Sequence, residues 1–240
     1  MIERLLQGLV IATLAGAPAQ ARDPASPPPL KASLSAPASQ PPAPPHSAPN
    51  STRANFRGDS APNDVRRMAD WVVSSADNRS LPFVIIDKKD AQVFVFDGQG
   101  QSLGAAPALL GLGVGDDSLP GVGDMPLSAI PPKDRTTPAG RFVGYLDQHS
   151  GKPNFLWVDY KNNVSLHRVV NGRPQDRRRE RLATPTPADN RISFGCINVP
   201  ADFFDRTVNP TFKGTKGVVY VLPEIKATRD FFPKYYDVDQ

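Results

Sequence analysis

One thiol and one imidazole are the groups of this chain best suited to covalent chemistry. The 240-residue sequence holds a single cysteine, Cys196, inside Arg191-Ile192-Ser193-Phe194-Gly195-Cys196-Ile197-Asn198-Val199-Pro200. Gly195 precedes it, so a turn can present the sulfur without crowding. The N–H groups of such a turn, those of Gly195 and Cys196, can point at a developing oxyanion. Free cysteine is also among the most buried residue types, so the stretch by itself fits a structural thiol equally well. The second group is His167, near the end of the strand-like run Val164-Ser165-Leu166-His167-Arg168-Val169. An imidazole beside a thiol takes its proton or stabilises the thiolate, which makes the sulfur a nucleophile. Of the three histidines, His46 lies in a proline-rich tract and His149 in a loop-like stretch before Ser150-Gly151, leaving His167 the best-placed partner. A lone histidine is also a common structural residue, and the residue types alone leave that reading open.

The order of these pieces resembles the catalytic domain of the L,D-transpeptidases, the YkuD-type domain. That family carries a histidine, a spacer, and then Ser/Thr-His-Gly-Cys-hydrophobic-Asn/Arg. Here the match is His167 followed by Ser193-Phe194-Gly195-Cys196-Ile197-Asn198. A second match is Thr137-Pro138-Ala139-Gly140-Arg141-Phe142, against the family's Thr-Pro-x-Gly-x-Phe/Tyr turn. The resemblance covers residues 83–222. It implies that Cys196 is the nucleophile, His167 the general base, and the backbone at Gly195 and Cys196 the oxyanion site. Ser193, Phe194 and Asn198 would support the motif, Arg141 is a candidate for facing a substrate carboxylate, and Arg168 is a further candidate for substrate binding. The implied substrate is a peptidoglycan stem peptide, which forms a thioester acyl-enzyme as a terminal D-alanine leaves. A second stem, or a wall-linked protein, then accepts the acyl group through an amine. Water as acceptor would make the protein an L,D-carboxypeptidase.

Two departures stand out. Phe194 replaces the family's second histidine, and the spacer from His167 to Ser193 is longer than usual, as if a loop were inserted. Phenylalanine fills the space but donates and accepts nothing. Either the site is dry and the thiol pKa is raised, or Ser193 and the insert supply the polar contacts. A non-catalytic wall-binding module, with the fold kept and the chemistry lost, is the alternative that Phe194 keeps open. Other thiol enzymes fit less well. A sortase expects Thr-Leu-x-Thr-Cys, and a papain-like peptidase has its cysteine ahead of its histidine.

The elements that must position these groups are read as follows. Residues 1–21 form a secretory signal, with an apolar run at 5–15 too short to span a bilayer and a small-x-small cleavage site at Ala19-Gln20-Ala21. Residues 22–60 are a Pro/Ala/Ser-rich linker, extended and partly polyproline II. An edge helix within 61–79 shows apolar residues at helical spacing, Val65, Met68, Ala69 and Val72, with Asn63 or Asp64 as its cap. The catalytic domain occupies 80–223. It starts with a hairpin of strands at 83–87 and 91–96 across Asp87-Lys88-Lys89-Asp90. The glycine-rich 110–124 lacks the Gly-Lys-Ser/Thr of a phosphate loop and is read as a flexible loop bordering the cleft. The charge run 173–181 is a solvated surface by default and, being inside the insert, alternatively a basic flap suited to an anionic substrate. A helix starts near Pro200 and Asp202, a closing strand spans 217–222, and the tail 224–240 shows no pattern. The fold class is mainly β with minor helix, an L,D-transpeptidase-like sandwich or barrel.

A domain of roughly 160 residues can bury a sizeable core. A net charge of +4 is too modest for a nucleic-acid binder and suits an anionic cell wall. One cysteine forms no internal disulfide in an oxidising compartment. No Cys/His cluster has metal-ligand spacing, and no cofactor is expected. After signal removal no transmembrane span is expected, so the protein would be periplasmic or wall-associated.

Overall fold

Residues 53–147 and 154–239 are those described by the structure, a computed structural model. The expected signal and most of the expected linker lie outside them. In chain order the elements are α1 (Asn63–Ser75), β1 (Phe83–Asp87), β2 (Gln92–Phe96), β3 (Ser102–Pro107), β4 (Leu110–Gly111), β5 (Gly140–Asp147), β6 (Phe155–Asp159), β7 (Val164–Arg168), α2 (Arg178–Ala183), β8 (Arg191–Ser193), β9 (Ile197–Val199), α3 (Ala201–Phe203), α4 (Asn209–Phe212), β10 (Lys216–Val221) and α5 (Thr228–Phe231). A π-helical turn, Phe204–Val208, joins α3 to α4 into one continuous helical run.

Eight strands form one sheet in the order β3-β2-β1-β10-β5-β6-β7-β9. The two edges nearly meet. Leu109, just past β3, exchanges two backbone hydrogen bonds with Asn198 of β9, at 2.8 and 2.9 Å. The result is a mainly β fold with a nearly closed, barrel-like sheet.

Burial follows from the alternation of side chains along each strand. Val84 and Ile86 of β1 face one core, which also takes Val219 and Val221 of β10, Leu166 of β7 and Ile197 of β9. Phe204, Val208 and Phe212, spaced by four along the helical run after β9, fill that same core. Phe83 and Ile85 point the other way, into a second core with Val65, Met68, Trp71 and Val72 of α1. Being buried on both faces explains why β1 and β10 read as continuous apolar runs. It also corrects the reading of β10. It does not close the sheet but lies between β1, parallel, and β5, antiparallel.

Three other readings change. Helix α1 has Pro62 at its N-cap, whose carbonyl receives the Arg66 N–H at 3.0 Å, so Asn63 and Asp64 are already helical and neither caps it. The glycine-rich segment is pinned at several points and is not a free loop. Leu110–Gly111 pairs in parallel with Arg191–Ser193. Farther on, the fully buried Asp116 carboxylate pairs with the fully buried Lys88 ammonium at 2.7 Å. The tail, which had no legible pattern, is tied to the same carboxylate. Asp116 accepts the N–H groups of Glu224, Ile225 and Lys226 at 2.8, 2.9 and 2.7 Å, and Phe232 is buried against Trp71.

This cluster makes a stability prediction. Burial alone would raise the Asp116 pKa, but the Lys88 ammonium and the three N–H groups hold it at about 2. The folded state therefore gains stability from this group above the ordinary aspartate range of about 4 and loses it as pH falls through about 2. Replacing Asp116 by alanine leaves Lys88 buried with a weaker partner and is expected to cost roughly 3–5 kcal/mol. Thermal melts at neutral pH check this. An unchanged Tm would refute the role given to the ion pair.

Candidate active site

The parallel pairing of β7 with β9 builds the site. Their register places Leu166 beside Ile197 and His167 beside Asn198. One step back along both strands, Ser165 falls beside Cys196. Leu166 and Ile197 point into the core, so the alternation sends Ser165, His167 and Cys196 to the other side of the sheet. The Ser165 hydroxyl is 3.7 Å from the Cys196 sulfur, as is the Asn163 carbonyl oxygen.

His167 Nδ1 lies 2.7 Å from the Arg168 carbonyl oxygen. A carbonyl can only accept, so Nδ1 carries a proton and Nε2 is the nitrogen left for the sulfur. Burial pushes the Cys196 thiol up, but the His167 imidazole and the Ser165 N–H and hydroxyl more than offset this, holding the thiol below its ordinary value. Burial likewise pushes His167 down. Its hydrogen bond to Cys196, the charge on the sulfur and the Arg168 carbonyl reverse this, against an opposing field from Arg178, and raise it. Each group thus favours the charged form of the other, which is the thiolate–imidazolium state. The polar support comes from His167 and Ser165, and not from Ser193 or the insert as expected for a site with Phe194. His46 and His149 lie outside the described residues.

The loop before Cys196 is held by side chains on its own backbone. Ser193 Oγ accepts the Gly195 N–H at 3.1 Å and donates to the Cys196 carbonyl at 2.6 Å. Asn198 Nδ2 donates to that carbonyl as well, at 3.3 Å. This revises the oxyanion reading. The Gly195 N–H is taken by Ser193, and the Cys196 N–H is the one not used within the loop. Gly195 itself sits at φ +126°, and an added Cβ would come 2.7 Å from the Thr136 carbonyl oxygen. Both the conformation and the space therefore demand glycine. Gly195→Ala is expected to lower Tm by several degrees and to slow alkylation of Cys196 at least tenfold. Parallel melts and iodoacetamide kinetics check this, and wild-type values in both would refute it.

Two residues that were not among the expected site residues hold the site together. Thr137, fully buried, accepts the Gly111 N–H and donates to the Gly195 carbonyl, each at 2.9 Å. The Thr-Pro-Ala-Gly turn thus braces the cysteine loop as well as starting β5. Ser165 could have been found by stepping two residues along the strand from His167. Thr137 was legible as the start of the Thr-Pro-x-Gly turn, but its bracing role was not, because its partners are main-chain groups far away in sequence.

The remaining candidates lie elsewhere. Arg141 is ion-paired with Asp77 at 2.6 Å and also donates to the Asp77 carbonyl at 2.9 Å, so none of its bonds reaches the Cys196–His167 pair. Arg168 is tied to Asp205, to the Asn154 carbonyl at 2.9 Å and over the Phe204 ring. Phe194 carries the Arg135 guanidinium 4.2 Å above its ring. The charge run is only partly a solvated surface. Leu182 of α2 is buried, and Arg178 donates to Asn198 Oδ1 at 3.2 Å.

No protein-family model matches the chain, and no curated protein does. Among solved structures, the chain is similar to the helical cell shape determining protein Pgp2 from Campylobacter jejuni at 16% identity, with a TM-score of 0.38 over 61% of this chain and 49% of that one. A structure of a point variant of the same Campylobacter jejuni protein matches at 15% identity and a TM-score of 0.38, over 69% of this chain and 58% of that one. In both cases the match spans less than two thirds of the other protein's length. Among the described residues, no helix is long and apolar enough to cross a membrane.

Proposed function

We propose that the protein is a cysteine acyltransferase of the L,D-transpeptidase type, acting on peptidoglycan stem peptides outside the cytoplasmic membrane. The observation that carries this reading is the β7–β9 register that brings His167 and Ser165 to Cys196, with His167 Nδ1 held by the Arg168 carbonyl, and the bias toward thiolate and imidazolium agrees with it. A merely structural thiol has no use for such a partner. The substrate class comes from the motif resemblance around Cys196 and at Thr137–Phe142.

The chemistry runs in two halves. The Cys196 thiolate attacks the carbonyl carbon before the terminal D-amino acid, forming a C–S bond and moving the carbonyl π electrons onto oxygen. In this reading the Cys196 N–H receives that oxyanion. Collapse breaks the C–N bond, and the imidazolium of His167 gives its proton to the departing amine. D-Alanine leaves and a thioester remains. An acceptor amine then attacks the thioester, neutral His167 takes its proton, and the C–S bond breaks to restore the thiolate. The transpeptidase has an amine as acceptor and the carboxypeptidase has water.

The test incubates the protein with a stem tetrapeptide, with and without an amine acceptor, and follows D-alanine release and products by mass spectrometry. Stoichiometric D-alanine with a new amide bond is the expected result. D-Alanine with only the shortened acid would make it the carboxypeptidase, and neither product would refute the acyl-transfer reading.

A further inference from the structure

A groove of about 620 Å³ runs beside the cysteine loop, and Phe194, Leu127, Arg135, Arg173, Asp176 and Arg178 are among the residues that line it. Three guanidiniums face one carboxylate there, so the groove carries an excess of positive charge. Arg178 comes from the insert, and its side chain is only 14% exposed. It is held by Asp176 through Nε and by Asn198 Oδ1 through Nη1, each at 3.2 Å. Asn198 in turn bonds the Cys196 carbonyl at 3.3 Å. The Arg178 guanidinium is therefore two hydrogen bonds from the nucleophile's main chain, and its Nη2 makes no hydrogen bond among the described residues. Arg135 is fixed in a similar way. Its Nε donates to the Ile130 carbonyl at 2.9 Å, and its Cζ lies 4.2 Å from the Phe194 ring centre. Its two terminal nitrogens are likewise without a hydrogen bond among the described residues.

We infer that this groove is a carboxylate-reading subsite, in which Arg178, assisted by Arg135 and Arg173, binds the free α-carboxylate of the residue just beyond the scissile carbonyl, so that the site takes chain ends and refuses internal peptide bonds. The inference rests on acyl transfer at Cys196. Consecutive Cα atoms are about 3.8 Å apart, so the terminal carboxylate of a leaving amino acid lies within one residue's length of the bond under attack. Planar guanidinium forks match a carboxylate in two-point contact, and the apolar sides of Leu127 and Phe194 strengthen that contact by excluding water. Phe194 has a role in this arrangement. Its ring face holds Arg135 in place, whereas a protonated histidine there would repel it.

The experiment uses the full-length Cys196→Ala protein, which binds without turning over, and two probes: a stem tetrapeptide ending in D-alanine as the free acid, and its C-terminal carboxamide. Calorimetry is expected to show the acid binding at least tenfold more tightly than the amide, with the difference shrinking as salt is raised. Arg178→Gln should remove most of that preference. Arg173→Gln, at an exposed position, should reduce it several-fold without altering Tm, and so tests the subsite even if Arg178→Gln misfolds. Equal affinities for acid and amide, or a preference untouched by both substitutions, would overturn the inference. Acid-selective binding without any acylation of the wild-type thiol would leave the subsite standing and refute the acyl-transfer reading instead.

Discussion

Cys196→Ala is expected to reduce D-alanine release from a stem tetrapeptide by roughly 10⁴-fold or more, the scale of losing a covalent nucleophile, with Tm nearly unchanged. The side chain is only partly buried and the change is small. The loop's hydrogen bonds run through Ser193, Asn198 and Thr137 to main-chain groups, none of which needs the sulfur. Fold and chemistry should therefore separate cleanly at this position. Turnover within tenfold of wild type would mean that another group does the chemistry.

His167→Ala is expected to lower turnover by about two to four decades, the range for losing a general acid–base. A second readout separates this role from a structural one. Burial alone pushes the Cys196 thiol up, and His167 is the main group that pulls it down. With the imidazole gone, the pH midpoint for alkylation of Cys196 should move upward, past the value of about 8.5 for a free thiol. In the wild type it should lie lower than in the variant, on the lowered side of an ordinary thiol. Loss of rate with no shift in the midpoint would make His167 a packing residue. His149→Ala should leave both quantities unchanged, and a loss there with none at His167 would move the base.

Much of the frame was legible from the residues. Helix α1 was readable from Val65, Met68, Ala69 and Val72 because one apolar face repeats at helical spacing, and the hairpin of β1 and β2 because two apolar runs flank a short polar turn. The cysteine motif and the strand bearing His167 were readable too. Long-range main-chain contacts were not. The parallel register of β7 and β9 that puts Ser165 beside Cys196 has no local signature. Asp116 gathers three N–H groups from residues 224–226, and a backbone N–H looks the same in every sequence. The oxyanion reading went astray at Gly195 for a similar reason. Glycine was read correctly as a requirement of the turn, but the Ser193 hydroxyl that takes its N–H had been read only as a motif residue. Arg141 and Arg168 were candidates for substrate binding, and Asp77 and Asp205 pair with them.

The insert between His167 and the cysteine loop is where the chain departs most from the pattern it resembles. It brings Arg178 to Asn198, and the substitution at Phe194 gives Arg135 a ring to lie on. Seen together, the two departures are neighbours lining one groove. The phenylalanine at position 194 then accompanies an excess of positive charge beside the cysteine loop.

The central claim is that Cys196 is an activated thiol that forms thioesters. Incubation with a carbapenem followed by intact-mass measurement tests it most directly. The wild type is expected to gain the mass of one carbapenem per chain, and Cys196→Ala none. Equal labelling of both proteins, or a wild-type mass unchanged across the whole pH range in which the fold is stable, would contradict it.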